Sequence, residues 1–225
     1  LTIFAENYSL SMEYSHFYDW LKTRLSQPLP GPVSQNKLTS LSRLRKLLEL
    51  GIPGNARKGA VLLLLFPSDG KLSLVFMQRP EYNGVHSGQI SFPGGKAERT
   101  DKSLIDTALR ESKEEVGIEP TKVNILGTLT PLYIPPSNFH ITPVVGFSIY
   151  TPLFNPDPEE VASIIIIPLD HFFMPDAIKT RSVRTGFGVS MQVPAFTFGE
   201  STIWGATAMV LNEFREIALE YPPFQ

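Results

Sequence analysis

The sequence predicts an α/β fold: a mixed β-sheet sandwiched between helices and preceded by an N-terminal helical extension. Two observations carry this. Apolar residues recur at three- and four-residue spacing near both ends of the chain, whereas residues 60–198 are dominated by short apolar runs separated by turn residues, the pattern of strands. One helical pattern, over residues 103–116, interrupts those strands. Strands with interposed and flanking helices bury both faces of a sheet.

Taken in order, Tyr14, Phe17, Trp20, Leu21 and Leu25 line one face of a first helix, and Pro28, Pro30 and Pro32 end it. Leu38, Leu41, Leu44, Leu47 and Leu48 form the apolar side of a second amphipathic helix. Arg43, Arg45 and Lys46 lie largely opposite, and Gly51 is its C-terminal stop. These helices make an extension over residues 1–58, packed on a main domain of residues 59–225, with a dimer contact or a cap over the substrate as its alternative role. Residues 60–66 and 71–78 flank Pro67-Ser68-Asp69-Gly70 as a β-hairpin, and a short strand at 90–92 leads into Pro93-Gly94-Gly95. Further strands are expected at 123–129, 141–150, 162–167, 183–191 and 195–198, before a final helix from Trp204 to about Leu219, with Trp204 packing that helix.

Composition narrows the chemistry. With 225 residues, 42% of them hydrophobic, the chain is long enough for a full core. A formal net charge of -2 argues against nucleic acid as a partner. The absence of cysteine excludes thiolate metal sites, disulfides and cysteine nucleophiles, so any metal is held by oxygen or imidazole. No apolar run approaches the roughly 20 residues that span a bilayer, and the first residues lack the basic-then-apolar order of a signal peptide. The expectation is a soluble, cytoplasmic protein with no membrane partner.

Chemistry concentrates on the helix at 103–116. Ser103 and Asp106 have capping-box spacing, and Gly117 is placed as the stop. At about 100° per residue, Ile105, Leu109, Ser112 and Val116 fall within roughly 60° of one another, a stripe for the core. Glu111, Glu114 and Glu115 gather within about 100° on a separate face. Such like charges repel. If partly buried, at least one carboxylate has its pKa raised unless a divalent cation balances it, and oxygen ligands of this kind suit Mg²⁺ or Mn²⁺. By spacing alone the cluster is either such a site or a solvated acidic face, and the latter is the commoner case. Gly94-Gly95 is either an ordinary strand-to-helix turn or a close backbone approach that lends a carbonyl to a metal.

The segment from Gly95-Lys96-Ala97-Glu98-Arg99-Thr100-Asp101 to Arg110-Glu111-Ser112-Lys113-Glu114-Glu115-Val116-Gly117-Ile118 resembles the Nudix box, whose core is R-E-U-x-E-E-x-G-U with U aliphatic. Asp101 stands in the usual Glu place, Arg110 follows with one extra residue between, and Ser112 replaces a bulky aliphatic. These departures, and residues 78–95 with Arg79, His86, Gly88, Gln89 and Phe92-Pro93-Gly94-Gly95, resemble the coenzyme A diphosphatase branch. Asn83 and Gly84 depart from that branch's Leu and Arg. Similarity runs from about Ala60 to Leu219.

The resemblance implies a Nudix α/β/α sandwich and a pyrophosphohydrolase using Mg²⁺ or Mn²⁺. By the same likeness Glu111, Glu114 and Glu115, with the Gly95 carbonyl, would hold the metal, and Arg110 would orient a glutamate through a bidentate pair. Glu115, Glu98 or Glu160 would act as the base. Arg79, His86 and Gln89 would contact substrate, while His140 is a structural hydrogen-bonding residue. The implied partner is a coenzyme A-like nucleotide, with a homodimer an open arrangement. Another nucleoside diphosphate derivative, such as ADP-ribose, is the alternative substrate, and a non-catalytic Nudix-like ligand sensor the alternative class.

Overall fold

The computed structural model describes residues 14–39, 51–82, 84–184 and 190–224. Helix α1 (Ser15–Arg24) is the expected first helix and buries Phe17 and Leu21. The chain then enters a short helix α2 (Pro32–Gln35), with proline at a first-turn position where its missing N–H is no loss, and a single 3₁₀ turn, Asn36–Leu38. The expected second amphipathic helix falls mainly on residues 40–50, outside the described residues.

Strands β1 (Arg57–Ser68) and β2 (Lys71–Gln78) make the predicted hairpin. Its turn is Asp69 and Gly70 alone, at φ 49° and 74°, the left-handed pair that Asp-Gly supplies most readily. Pro67 and Ser68, expected in the turn, instead close β1 opposite Leu72 and Lys71.

The chain continues through β3 (Ile90–Ser91), β4 (Gly94–Lys96), helix α3 (Leu104–Val116), β5 (Asn124–Thr128), β6 (Leu132–Ile134), β7 (Phe139–Phe147) and β8 (Ser163–Pro168). These eight strands form one mixed sheet. Its path is β3-β2-β1-β7-β5, with β4 added to β1, β6 to β7 and β8 to β2. Among the described residues only the β1–β7 pair is parallel.

Over residues 60–67 strand β1 is apolar at every position because both its faces are covered there. Leu62, Leu64 and Phe66 cluster with Ala108 and Val116 of α3. Leu63 and Leu65 instead join Phe17 and Leu21 of α1 and Phe214 of the last helix, α4 (Gly205–Ala218). That alternation is the sandwich itself. The N-terminal helix shares this core: Phe17 meets the rings of Tyr221 and Phe224 at 5.1 and 4.9 Å, and Arg24 pairs with Glu220 at 2.6 Å.

A second, three-stranded antiparallel sheet consists of β9 (Ile178–Arg184), β10 (Ser190–Phe198) and β11 (Ser201–Ile203). It corrects the expectation of one strand over residues 183–191. Val183 and Met191 stand opposite each other on neighbouring antiparallel strands, so they belong to two strands rather than one. Among the described residues no helix is long and apolar enough to cross a membrane.

Candidate active site

Helix α3 has the caps its sequence specifies. Ser103 Oγ accepts from the Asp106 N–H at 3.2 Å and donates to the Asp106 carboxylate at 2.9 Å, and Gly117 closes the helix at φ 77°. Ser112 is fully buried, yet its hydroxyl donates to the Ala108 carbonyl at 2.6 Å. A polar group in the apolar stripe therefore keeps a hydrogen bond, which removes most of the burial cost.

The three helix glutamates do not share one environment. The Glu115 side chain is 2% exposed and that of Glu111 16%, and both line a cavity of about 930 Å³. Glu114, at 58%, is not part of that lining. All three lie in the last two turns, where the helix dipole disfavours anions, so helix stability does not account for them. Burial above all, with the neighbouring Glu111 and Glu160 charges adding to it, pushes the Glu115 carboxyl up to about 8 against the lowering effect of Arg79 and the Gly94 N–H. Glu111 is also raised, again chiefly by burial. This is the penalty the sequence predicted for a partly buried cluster.

Local structure holds each group in place. Glu115 Oε2 accepts from the Gly94 N–H at 2.7 Å, and Arg79 Nη2 lies 3.6 Å from Oε1. At φ 146° Gly94 packs so closely on β1 that a Cβ would fall 2.3 Å from the Ala60 carbonyl oxygen. At Gly95 a Cβ would lie 2.5 Å from Glu111 Cδ, so any other residue there would displace the Glu111 carboxylate from its present place. The turn before β8 is tied to the end of α3 by backbone bonds, Asn155 to Val116 at 3.0 Å and Asp157 to the Glu115 carbonyl at 2.8 Å. Glu160 thereby joins Glu111 and Glu115 in lining the cavity.

Arg110 is the hub of this region. It grips Asp101 with two bonds, Nε at 2.9 Å and Nη2 at 3.0 Å, and also reaches the Lys96 carbonyl at 3.0 Å, Glu114 at 2.9 Å and Glu111 at 3.1 Å. The bidentate partner is thus Asp101 rather than a glutamate, because the loop carrying Asp101 folds back onto the helix; Asp101 also takes a bond from Thr107 Oγ1 at 2.9 Å. The Arg110 hydrogen bonds hold Asp101 well below the usual carboxylate range. Because the folded-state value is depressed, this contact stabilises the fold above the unfolded value of about 4 and ceases to do so as pH falls through the folded one. Asp101→Asn is expected to cost about 2 kcal/mol near neutrality. The gap in Tm between wild type and variant should narrow steadily below about pH 4. Thermal melts from pH 7 to 2 check this, and a gap that widens in acid contradicts it.

The remaining predicted residues divide. Arg79, His86 and Gln89 line the cavity, with His86 Nδ1 3.1 Å from Gln89 Oε1, Gln89 Nε2 donating to the Val85 carbonyl at 3.2 Å, and His86 lowered by burial. Glu98 and His140 do not line it. His140 sits on β7 between Phe139 and Ile141, which do, and strand alternation sends it to the other face. Trp204, expected to pack the final helix, is its N-cap residue and also lines the cavity. Sequence reasoning did not single out Lys96, Leu38, Thr39, Met191 or Val193 as lining residues; only Lys96 carried a signal, by following Gly95 directly.

Among the described residues no three His, Asp or Glu side chains stand in ligand geometry about a common point. The donor chemistry nevertheless fits a hard divalent cation. Asp101, Glu111, Glu114, Glu115 and Glu160 outnumber the cations around them, Arg79, Lys96 and Arg110, and the first four of these carboxylates are reached by only two arginines. Glu111 and Glu115 carry a desolvation penalty that an ion would offset.

Comparison with known proteins identifies the family. The chain is 40% identical over 166 residues to the uncharacterized Nudix hydrolase NudL of Pectobacterium atrosepticum, covering 72% of this chain and 83% of that one. Among solved structures it is similar to the Nudix hydrolase RenU of M. smegmatis, with a TM-score of 0.51 and 16% identity over 74% of this chain and 88% of that one. A MutT/nudix family protein from Enterococcus faecalis gives 0.50 and 15%, over 83% and 73%. At such identities the structural likeness speaks for the fold alone. A family model, the NUDIX domain, matches residues 56–183, more than half of the chain and all of the site-bearing segment from Arg79 to Glu160, and the chain belongs to that family.

Proposed function

We propose that this Nudix pyrophosphohydrolase cleaves the diphosphate of coenzyme A or its derivatives, giving 4'-phosphopantetheine, or its acylated form, and adenosine 3',5'-bisphosphate. The observation that carries the reading is the convergence of Glu111, Glu115, Glu160, Arg79 and the Gly94-Gly95 strand on one cavity of about 930 Å³, a volume suited to a nucleotide-sized ligand. Arg79, His86, Gln89, Phe92, Gly94 and Gly95, which belong to the stretch that supplies the branch resemblance, line that cavity and support the choice of substrate.

Glu111 and Glu115, with the Gly95 carbonyl, would hold Mg²⁺ or Mn²⁺, and Glu114 would join them by turning from its Arg110 pair toward the ion. When bound, such an ion neutralises diphosphate charge and makes water a better nucleophile. The protein's own groups do the rest. Arg79 and Lys96 bring positive charge to an anionic substrate. Gln89 fixes the His86 ring, so that this pair orients the substrate beside Arg79. Arg110 keeps the helix, Asp101 and the Lys96 carbonyl in one frame, a positioning role rather than contact with the reacting atoms. Glu160 is the favoured acceptor for the proton of the attacking water: it faces the cavity, whereas Glu98 does not and Glu115 is already occupied by Gly94 and Arg79.

Two measurements test this. Excess EDTA is expected to lower turnover by roughly 10²-fold or more, with recovery on adding Mg²⁺ or Mn²⁺. A panel of coenzyme A, an acyl derivative and ADP-ribose, with products identified, is expected to show the highest kcat/KM for a coenzyme A compound. Faster turnover of ADP-ribose overturns the substrate assignment, and no turnover of any diphosphate overturns the hydrolase.

A further inference from the structure

The charged lining of the cavity comes from the chain after β2, from β4, from α3 and from the turn before β8. A different set of elements supplies an apolar lining. Leu38 and Thr39 of the N-terminal segment meet it beside Met191 and Val193 of β10, and beside Trp204 and Ala206 at the start of α4. The 3₁₀ turn Asn36–Leu38 packs against both β10 and α4. None of these six lining residues is charged.

The N-terminal segment is fastened where it does this. Gly31 N–H and Gln35 Nε2 donate to the buried Glu213 carboxylate at 3.1 and 2.8 Å, Asn212 Nδ2 donates to the Ser34 carbonyl at 2.9 Å, and Lys37 pairs with Glu216 at 2.9 Å. All three anchors on the far side belong to α4. The wall is therefore rigid relative to the helix whose first turn it faces.

We infer that this segment determines specificity: Leu38 and Thr39 bound an apolar compartment that takes an extended aliphatic portion of the substrate, alongside a diphosphate lying at Glu111 and Glu115. The position of the diphosphate rests on the hydrolase reading; the compartment does not. A diphosphate fills only a small part of about 930 Å³, which leaves room for a much larger ligand. Leu, Val and Met side chains make a surface that conforms to a flexible chain.

The test is calorimetric binding in EDTA, where turnover is suppressed, of coenzyme A and its acetyl, hexanoyl and decanoyl thioesters. Each methylene buried tightens binding by about fourfold, so wild type is expected to hold the hexanoyl ester at least roughly tenfold more tightly than the acetyl ester. Thr39→Trp, which fills the compartment, is expected to bring that ratio close to one. Leu38→Ala, which deepens it, is expected to move the gain toward the decanoyl ester. A ratio near one in wild type, a ratio unchanged in both variants, or no detectable binding of the decanoyl ester overturns the inference. Should one variant fail to fold in a thermal melt, the other decides. Chain-dependent binding without hydrolysis in Mg²⁺ or Mn²⁺ leaves the wall standing and removes the hydrolase, whereas hydrolysis with a flat ratio does the reverse.

Discussion

Glu115→Gln is expected to lower kcat by about 10³-fold or more, equivalent to roughly 4 kcal/mol of transition-state stabilisation, while the protein stays folded. The two halves of this expectation have separate causes. A glutamine oxygen can still accept the Gly94 N–H that Glu115 takes at 2.7 Å, so the contact between α3 and β4 survives. What is lost is the negative charge, at a carboxylate that is 2% exposed, beside Glu111 and Glu160, in a helix turn that gains nothing from it. In metal-free buffer the melting temperature should therefore be equal near neutrality, where a carboxyl raised to about 8 is largely protonated, and higher above that pH, where wild type must bury the charge. The check is kcat at saturating Mg²⁺ or Mn²⁺ together with a thermal melt. Activity within tenfold of wild type would show that Glu115 is not at the reacting centre, and a collapse of Tm would make it a structural group.

Glu213→Ala should have the largest effect on stability, a loss of about 3 to 5 kcal/mol, or roughly 10 °C in Tm. Glu213 is fully buried, and its carboxylate accepts from Gly31 N–H, Gln35 Nε2, and both the N–H and the hydroxyl of Thr130, at 3.1, 2.8, 3.3 and 2.6 Å. Truncation leaves these donors together in a space with no other acceptor supplied by the mutation, and an unmet buried donor costs more than a hydrogen bond gains. Because the same carboxylate fastens the segment carrying Leu38, the variant should also weaken any preference for long-chain ligands. Urea unfolding measures the first effect, and a loss under about 1 kcal/mol would mean that water replaces the carboxylate.

How far the sequence could be followed depended on whether a feature has a local cause. The β1–β2 hairpin was legible because Asp69-Gly70 sets its own backbone and the flanking runs are long. Helix α3 was legible for the same reason, since Ser103 and Gly117 act on their own neighbours. Strands β4, β6 and β11 were not, because three residues show no periodicity and each is held only by its partner. The separation of β9 from β10 was lost when Val183 and Met191 were joined into one strand.

The candidate site divides along the same line. That acidic groups gather on one helix next to a glycine strand, and that partial burial would penalise them, followed from helix geometry and Coulomb repulsion, so it was determined by the sequence itself. Angular position on a helix does not say which flank a sheet will cover. Only the tertiary structure decided that Glu111 and Glu115 face the cavity while Glu114 turns outward, that Arg110 spends its bidentate grip on Asp101, and that Glu160, Lys96 and the distant Leu38 meet the same space. Those encounters join residues far apart in the chain, and their geometry is set by how the two faces of the sheet are packed.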